Sequence, residues 1–253
     1  MQNQNLFGRI KKIVPQPIKR NARFLLIEIP TALRYYYRLI FHRDPSQFGE
    51  VTVARRLLGQ DWPKYVVEVG AFDAKKYSNS YYFISRGWQA LLVEPHPANF
   101  ARVAGFHAGN SAVHCVQKAC SNITGQSPLF FDKAAGESGG VSPTLSTDKN
   151  WFMEQIRSDQ SVQVEMDTLT NILTASGTPR DFSLLSVDTE GMDLAVLEGL
   201  DPAKFRPRVI ITEEYPWEPA KNQRKHDLLR ARDYVLKRLI GMDSIWRAKE
   251  HDS

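Results

Sequence analysis

Three carboxylates, Asp188, Glu190 and Asp193, fall within six residues of "LLSVDTEGMDLAVLEGL", residues 184–200. They follow an apolar run that reads as a buried strand. A solvated turn needs only polarity, which Ser or Asn would supply, so acids here point to chemistry. A second apolar run, "RVIITE", ends on Glu213 with Glu214 next to it. Acids at neighbouring strand ends suit two mechanisms, and both stay open on the sequence. In one, Asp188 or Glu190 is a general base that takes a proton from a hydroxyl and orients it. In the other, Asp188, Glu213 and Glu214 hold Mg²⁺ or a similar hard cation, which prefers oxygen ligands and acidifies a bound hydroxyl. Asp193 has a plainer reading, as an acid in the first turn of a helix, complementing its dipole.

Strands are expected at "YVVEVG" (65–70), "QALLVE" (89–94), "AVHCVQKAC" (112–120), "FSLLSVD" (182–188) and "RVIITE" (208–213). Helical spacing occupies "GEVTVARRLLG", "SNSYYFISRG", "HPANFARVAG" and "GMDLAVLEGL" between or before them. Near-continuous Val/Ile/Leu runs alternating with helices imply an α/β fold whose parallel sheet is covered on both faces. "YVLKRLI", "GMD" and "SIWRAK" read as a C-terminal hairpin, and the Gly/Ser/Thr-rich stretch 133–150 as a mobile loop. In such sheets the ligand lies beyond the carboxyl ends of the strands. Gly70, Glu94, Asp188 and Glu213 all stand at those ends.

The first strand and loop, "VVEVGAFDA", keep the first glycine of a dinucleotide fingerprint but not the later ones. A diphosphate would find no open nest of backbone N–H groups, which speaks against an NAD(P)-dependent oxidoreductase. Glu68 instead suits a cationic ligand, and Glu94 can accept both hydrogen bonds of a ribose diol. Acid, single glycine and second acid together fit S-adenosylmethionine, which carries an amino-acid tail and a sulfonium but no phosphate.

Over about residues 60–250 the chain resembles the FkbM family of S-adenosylmethionine-dependent methyltransferases. The resemblance rests on "VEVGAFDA", "SNSYYFISRGWQALLVEPHPANF", "CVQKACSNITGQSPLFF", "LLSVDTEGMDLAVLEGL" and "VIITEEYPWEP". It implies a Rossmann-like class I fold with a mostly parallel seven-stranded sheet, and O-methylation of sugars or other hydroxyl-bearing products. Ala74 stands where many members have a second glycine. The resemblance implies that Glu68 and Gly70 border the methionine end of the cofactor, that Glu94 holds the ribose, and that Ala119 or Cys120 lies near adenine. It adds Asp73, Ser78, Asn79 and Pro95 to the cofactor-binding set, with Asp188 facing the transferring methyl. Tyr215 and Trp217 in "EEYPWEP" would border a sugar or glycan acceptor. Plainer roles exist beside these: Gly70 and Glu94 as simple strand ends, Cys120 as packing, His96 as a loop residue.

Net charge is +5, and residues 1–44 alone carry +7, leaving the rest mildly acidic. Residues 1–48 therefore read as a basic helical extension before a methyltransferase domain over 49–253. That extension suits peripheral contact with the inner face of a membrane, a homo-oligomer contact, a lid, or a passive prefix. Nucleic acid is not expected as a partner. No run approaches the length of a membrane span, the start lacks the apolar core of a signal peptide, and the chain reads as cytoplasmic. Cys115 and Cys120 would face opposite sides of one strand, so no disulfide between them is expected. The competing non-enzymatic reading is a Rossmann-like scaffold at the membrane surface in glycan assembly. Clustered acids that repel one another would serve no purpose in it.

Overall fold

The computed structural model describes residues 33, 35–42, 44–59, 62–132, 144–145 and 157–251. The chain forms two compact units, Met1–Arg43 and Asp44–Ser253. In the first, the backbone is helical at 33 and 35–37 and continues as a π-helix over Arg38–His42. Residues 44–48, expected with the basic block, fall in the second unit. There Asp44 accepts hydrogen bonds from the Ser46 N–H at 3.0 Å and the Thr52 N–H at 2.8 Å, which fixes the entry to the first helix.

The second unit has ten strands among the described residues: β1 (Tyr65–Val69), β2 (Gln89–Val93), β3 (Val113–Val116), β4 (Ala119–Ser121), β5 (Gly125–Asp132), β6 (Arg157–Thr168), β7 (Asp181–Val187), β8 (Arg206–Glu213), β9 (Tyr234–Ile240) and β10 (Asp243–Ala248). Its α-helices are α1 (Glu50–Leu58), α2 (Tyr81–Ile84), α3 (Pro97–His107), α4 (Leu169–Ala175), α5 (Asp193–Glu198) and α6 (Pro219–Ala231). The main sheet has seven strands in the order β3-β2-β1-β7-β8-β10-β9. It is parallel from β3 to β8, and β10 runs antiparallel to both its neighbours.

Every residue of β1 is buried, as the unbroken apolar run requires of a strand covered on both faces. The pleat sends Val67 and Val69 into one core with Leu173 of α4 and Leu197 of α5. It sends Val66 into the other with Val51 of α1 and Phe83 of α2. The chain runs outward from β1 to β2 and β3 and then returns to β7 on the other side. The strand order therefore reverses between β1 and β7, which is where such sheets leave a crevice.

The single strand expected over 112–120 is two. β3 ends at Val116, and β4 pairs in parallel with β6 in a separate three-stranded sheet, β4-β6-β5. Gln117 and Lys118 break the apolar run, and Lys118 turns to the Asp167 carboxylate of β6 at 3.2 Å. Cys115 and Cys120 consequently sit in different sheets, both as free thiols. The small sheet left little trace in the sequence. β6 is polar at most positions, and β5 carries Pro128, which an edge strand tolerates. Most of 133–150, expected as a mobile loop, lies outside the described residues; Thr144 pairs with Phe130 as an isolated bridge.

Candidate active site

Gly70 closes β1 with φ 91°, and its amide hydrogen-bonds to the Val93 carbonyl of β2 at 2.9 Å. The Asp188 amide bonds to the Val69 carbonyl at 3.0 Å, so the chain beyond β7 runs tightly against Gly70. A Cβ at Gly70 would lie 1.8 Å from the Asp188 carbonyl oxygen. Glycine is thus required twice over, by conformation and by space. A cavity of about 240 Å³ opens just beyond, where β1 and β7 diverge. Glu68, Gly70, Ser78, Asn79, Glu94, Pro95, Ala119, Asp188, Glu190, Glu213 and Tyr215 all line it.

Three residues expected at the site do not line the cavity. Asp73 caps its own loop, accepting from the Lys75 and Lys76 amides at 3.0 and 2.6 Å. Glu214 lies on the other side of its strand end, 2.8 Å from His226 Nε2 and 3.6 Å from Lys225 Nζ. Strand alternation separates it from Glu213, so the expected Asp188, Glu213, Glu214 ligand set is not assembled. Among the described residues, no group of three or more His, Cys, Asp or Glu side chains is placed to hold a metal ion. Trp217 stacks at a tilt on Tyr215, with ring centroids 5.3 Å apart, behind the lining.

At the β1–β2 end, the acids are saturated with donors. Glu68 Oε2 accepts from Ser78 Oγ at 2.8 Å and also from Ser80 Oγ, while Oε1 accepts from the Asn79 amide at 2.6 Å. Burial pushes the Glu68 carboxyl up, and these donors oppose the shift. Glu68 therefore folds the 78–80 segment back over the sheet. Glu94 accepts from the Phe72 and His96 amides, both at 2.9 Å, tying the first loop to the start of α3. Burial raises its carboxyl to about 7 against those two hydrogen bonds. His96, read as a loop residue, caps α3, its Nδ1 accepting from the Ala98 amide at 3.2 Å.

At the β7–β8 end, acids face one another. Asp188 lines the cavity and is solvent-exposed as a residue, although its carboxyl is ringed by protein atoms, with Glu213 facing it. Burial, then the Asp193 charge, raise Asp188 to about 7. Glu213 is raised well above the carboxylate range by burial and by Asp188. The Tyr215 hydroxyl donates to Glu213 and lies 3.5 Å from Glu190 Oε2. Glu190 itself has φ 51°, a left-handed conformation uncommon for a side-chain-bearing residue. Thr144 Oγ1 holds that turn through the Glu190 carbonyl at 2.7 Å.

The third acid of the opening cluster does something else. Asp193 begins α5 as expected, but its buried carboxylate also accepts from the Thr189 amide at 3.0 Å, Thr189 Oγ1 at 2.6 Å, Thr212 Oγ1 at 2.8 Å and the Glu213 amide at 2.9 Å. It clamps the loop after β7 to the end of β8 and so positions Asp188 and Glu213 beside each other. Asp243 was not expected here. It pairs across the sheet with Glu213, and burial together with the Glu50 charge raises its carboxyl well above normal. The "GMD" hairpin turn was legible, but its register against β8, which brings Asp243 to the cavity, was not.

A profile of the methyltransferase FkbM domain matches residues 68–238, more than half of the chain. The chain belongs to the FkbM methyltransferase family. Among curated proteins none matches by sequence. Solved structures similar to it include a precorrin-6y C5,15-methyltransferase from Geobacter metallireducens GS-15, with 10% identity, TM-score 0.40, and 78% of this chain and 86% of that one covered. An S-adenosylmethionine-dependent methyltransferase from Aquifex aeolicus has 10% identity and TM-score 0.42, with 85% and 94% covered. A methyltransferase from Geobacter sulfurreducens has 15% identity and TM-score 0.41, with 92% and 96% covered.

An FkbM methyltransferase must hold S-adenosylmethionine, and the cavity suits it. Asn79 Oδ1 is buried without a partner, while its Nδ2 donates to Ser186 Oγ at 3.0 Å. An orphaned acceptor beside Glu68 and Gly70 fits the ammonium of the cofactor's amino-acid tail. Glu94, with the apolar Ala119, Cys120 and Leu129, lines the same cavity. Ala74, where many FkbM members have glycine, has φ 69°, so the backbone keeps a glycine-like conformation despite the methyl.

Proposed function

We propose that this FkbM methyltransferase methylates a hydroxyl oxygen of a sugar, in a polysaccharide, glycolipid or other glycosylated product. The reading rests on the cluster of Asp188, Glu190, Glu213 and the Tyr215 hydroxyl on the cavity lining. Bound S-adenosylmethionine supplies a methyl group already activated by its positive sulfur. What the protein must add is alignment of the acceptor oxygen and removal of its proton. A carboxyl raised to about 7 is poised between its two forms near neutral pH, which is where a general base works best. Asp188 takes the acceptor's proton, and Glu213, sharing a hydrogen bond with it, helps carry that proton. Glu190 and Tyr215 offer an acceptor and a hydroxyl to the sugar's neighbouring hydroxyls. Tyr215, backed by Trp217, presents an aromatic edge that suits the C–H face of a sugar ring.

The test is incubation with S-adenosylmethionine bearing a deuterated methyl group and a panel of free sugars, nucleotide sugars and extracted glycans. Mass spectrometry should find the label on a sugar oxygen. Label on nitrogen or carbon, or no transfer to any hydroxyl by protein that binds S-adenosylhomocysteine, would overturn the proposal.

A further inference from the structure

Four large apolar side chains are exposed within eight residues of the first unit: Leu33, Tyr36, Tyr37 and Ile40, at 64, 57, 56 and 67% exposure. Elsewhere among the described residues, exposed large apolar residues occur singly, as Phe106, Ile123 and Leu239. The four follow the spacing i, i+3, i+4, i+7, so on a helical backbone they share one face. Tyr35, on the opposite face, is buried, and Arg38 and Leu39 are intermediate. A helix against water normally turns its polar face outward. Here the outward face is the apolar one.

We infer that residues 1–43 dock this unit onto an anionic membrane surface, with the Leu33, Tyr36, Tyr37, Ile40 face entering the headgroup boundary. The charge of the segment selects this occupant. Arg9, Lys11, Lys12, Lys19, Arg20, Arg23, Arg34, Arg38 and Arg43 stand against the single acid Glu28. An apolar stripe of Leu, Ile and Tyr within a basic stretch of sequence is the composition of a segment that lies in the interface. Tyr suits that depth because its ring is apolar and its hydroxyl stays hydrated. No helix among the described residues is long and apolar enough to cross a membrane, so attachment would be at the surface. The inference stands apart from the choice of acceptor and from the methyltransferase chemistry.

Co-sedimentation of the full chain with vesicles tests it. Vesicles of phosphatidylglycerol in phosphatidylcholine should bind the protein at least tenfold more tightly than phosphatidylcholine alone. Binding should fall as salt rises from about 0.1 to 1 M, where screening shortens from ~10 to ~3 Å. Leu33→Asp with Ile40→Asp should lower it tenfold or more, and so should Lys11→Gln, Lys12→Gln, Lys19→Gln and Arg20→Gln together. S-adenosylhomocysteine binding, measured in parallel, should stay unchanged in both variants and so report an intact second unit. Absent binding, or equal binding to both vesicles, overturns the inference. A dimer in sedimentation velocity that the Asp variant disperses, without vesicle binding, overturns it in favour of a second copy on this face.

Discussion

Two carboxylate clusters line one cavity, and their surroundings differ in kind. Glu68 and Glu94, at the ends of β1 and β2, are met by backbone amides and serine hydroxyls. Asp188 and Glu213, at the ends of β7 and β8, are met by each other, by Tyr215, and by the nearby charges of Asp193 and Glu190. Fixed N–H donors pin a carboxylate in one place whatever its partner does, which suits holding a bound molecule. Facing carboxylates repel each other when both are ionised, so the titration of one depends on the other. The same kind of side chain is thus fixed by donors beside β1 and β2 and set among other acids beside β7 and β8.

The largest expected effect breaks the comparison at the acids beside β7 and β8. Asp188→Asn keeps size and hydrogen bonding but cannot take a proton. Turnover should fall by about 10²–10⁴, the usual contribution of a positioned base. S-adenosylhomocysteine affinity by calorimetry should change less than about threefold if Glu68 and Glu94, and not Asp188, hold the cofactor. Turnover within a factor of two of the native enzyme would remove Asp188 from the chemistry.

The pH response should separate stability from activity. Glu94 and Asp188 are both raised to about 7, chiefly by burial. The fold favours their neutral forms, so that stability is fully present below the unfolded values near 4 and is lost as pH rises through about 7. For Glu94 the shift from 4.5 to about 7 corresponds to about 3 kcal/mol at most. Urea unfolding of the ligand-free protein should therefore show declining stability between about pH 5 and 7.5. Turnover should rise over the same interval as the base ionises. Glu250, lowered to about 2 by Arg206, acts in the opposite sense, its stabilisation being lost only as pH falls below about 4. A stability curve that is flat from pH 5 to 7.5 would mean that the buried acids titrate normally.

At the donor-saturated end, Glu94→Gln should weaken S-adenosylhomocysteine by about 10–100-fold, the loss of charge-assisted bonds to a diol. It should also flatten the pH dependence of stability, because one raised carboxyl is gone. Unchanged affinity would reduce Glu94 to a tie between the first loop and α3.

The apolar strands were legible because the middles of β1, β2, β7 and β8 are buried on both faces and read as short apolar runs. Strand-end acids could be located from those runs. What each acid faces could not. Glu213 and Glu214 are adjacent in sequence, but the pleat sends one into the cavity and the other toward His226. Asp193 looked like a helix-dipole acid because two of its four donors come from the end of β8, which local sequence does not bring to it. Asp243 was hidden by the register of β10 on β8, which a hairpin motif does not specify. The small sheet was missed because β6 needs to bury so little of its length.

The smallest effect sharpens the comparison within the acid pair itself. Tyr215 donates to Glu213, and that bond pulls the Glu213 carboxyl down against burial and the Asp188 charge. Tyr215→Phe removes the donor and leaves the ring and its packing on Trp217 in place. The pair should then hold its proton more tightly, moving the rising limb of the pH–turnover curve upward by less than about one unit, since a single neutral donor is lost. At a pH well above the limb, turnover should recover to within about threefold of the native enzyme. A purely structural Tyr215 would lower turnover equally at every pH and leave the midpoint where it was. The separation of those two patterns is what assigns the hydroxyl to the titration of the acid pair or to the frame around it.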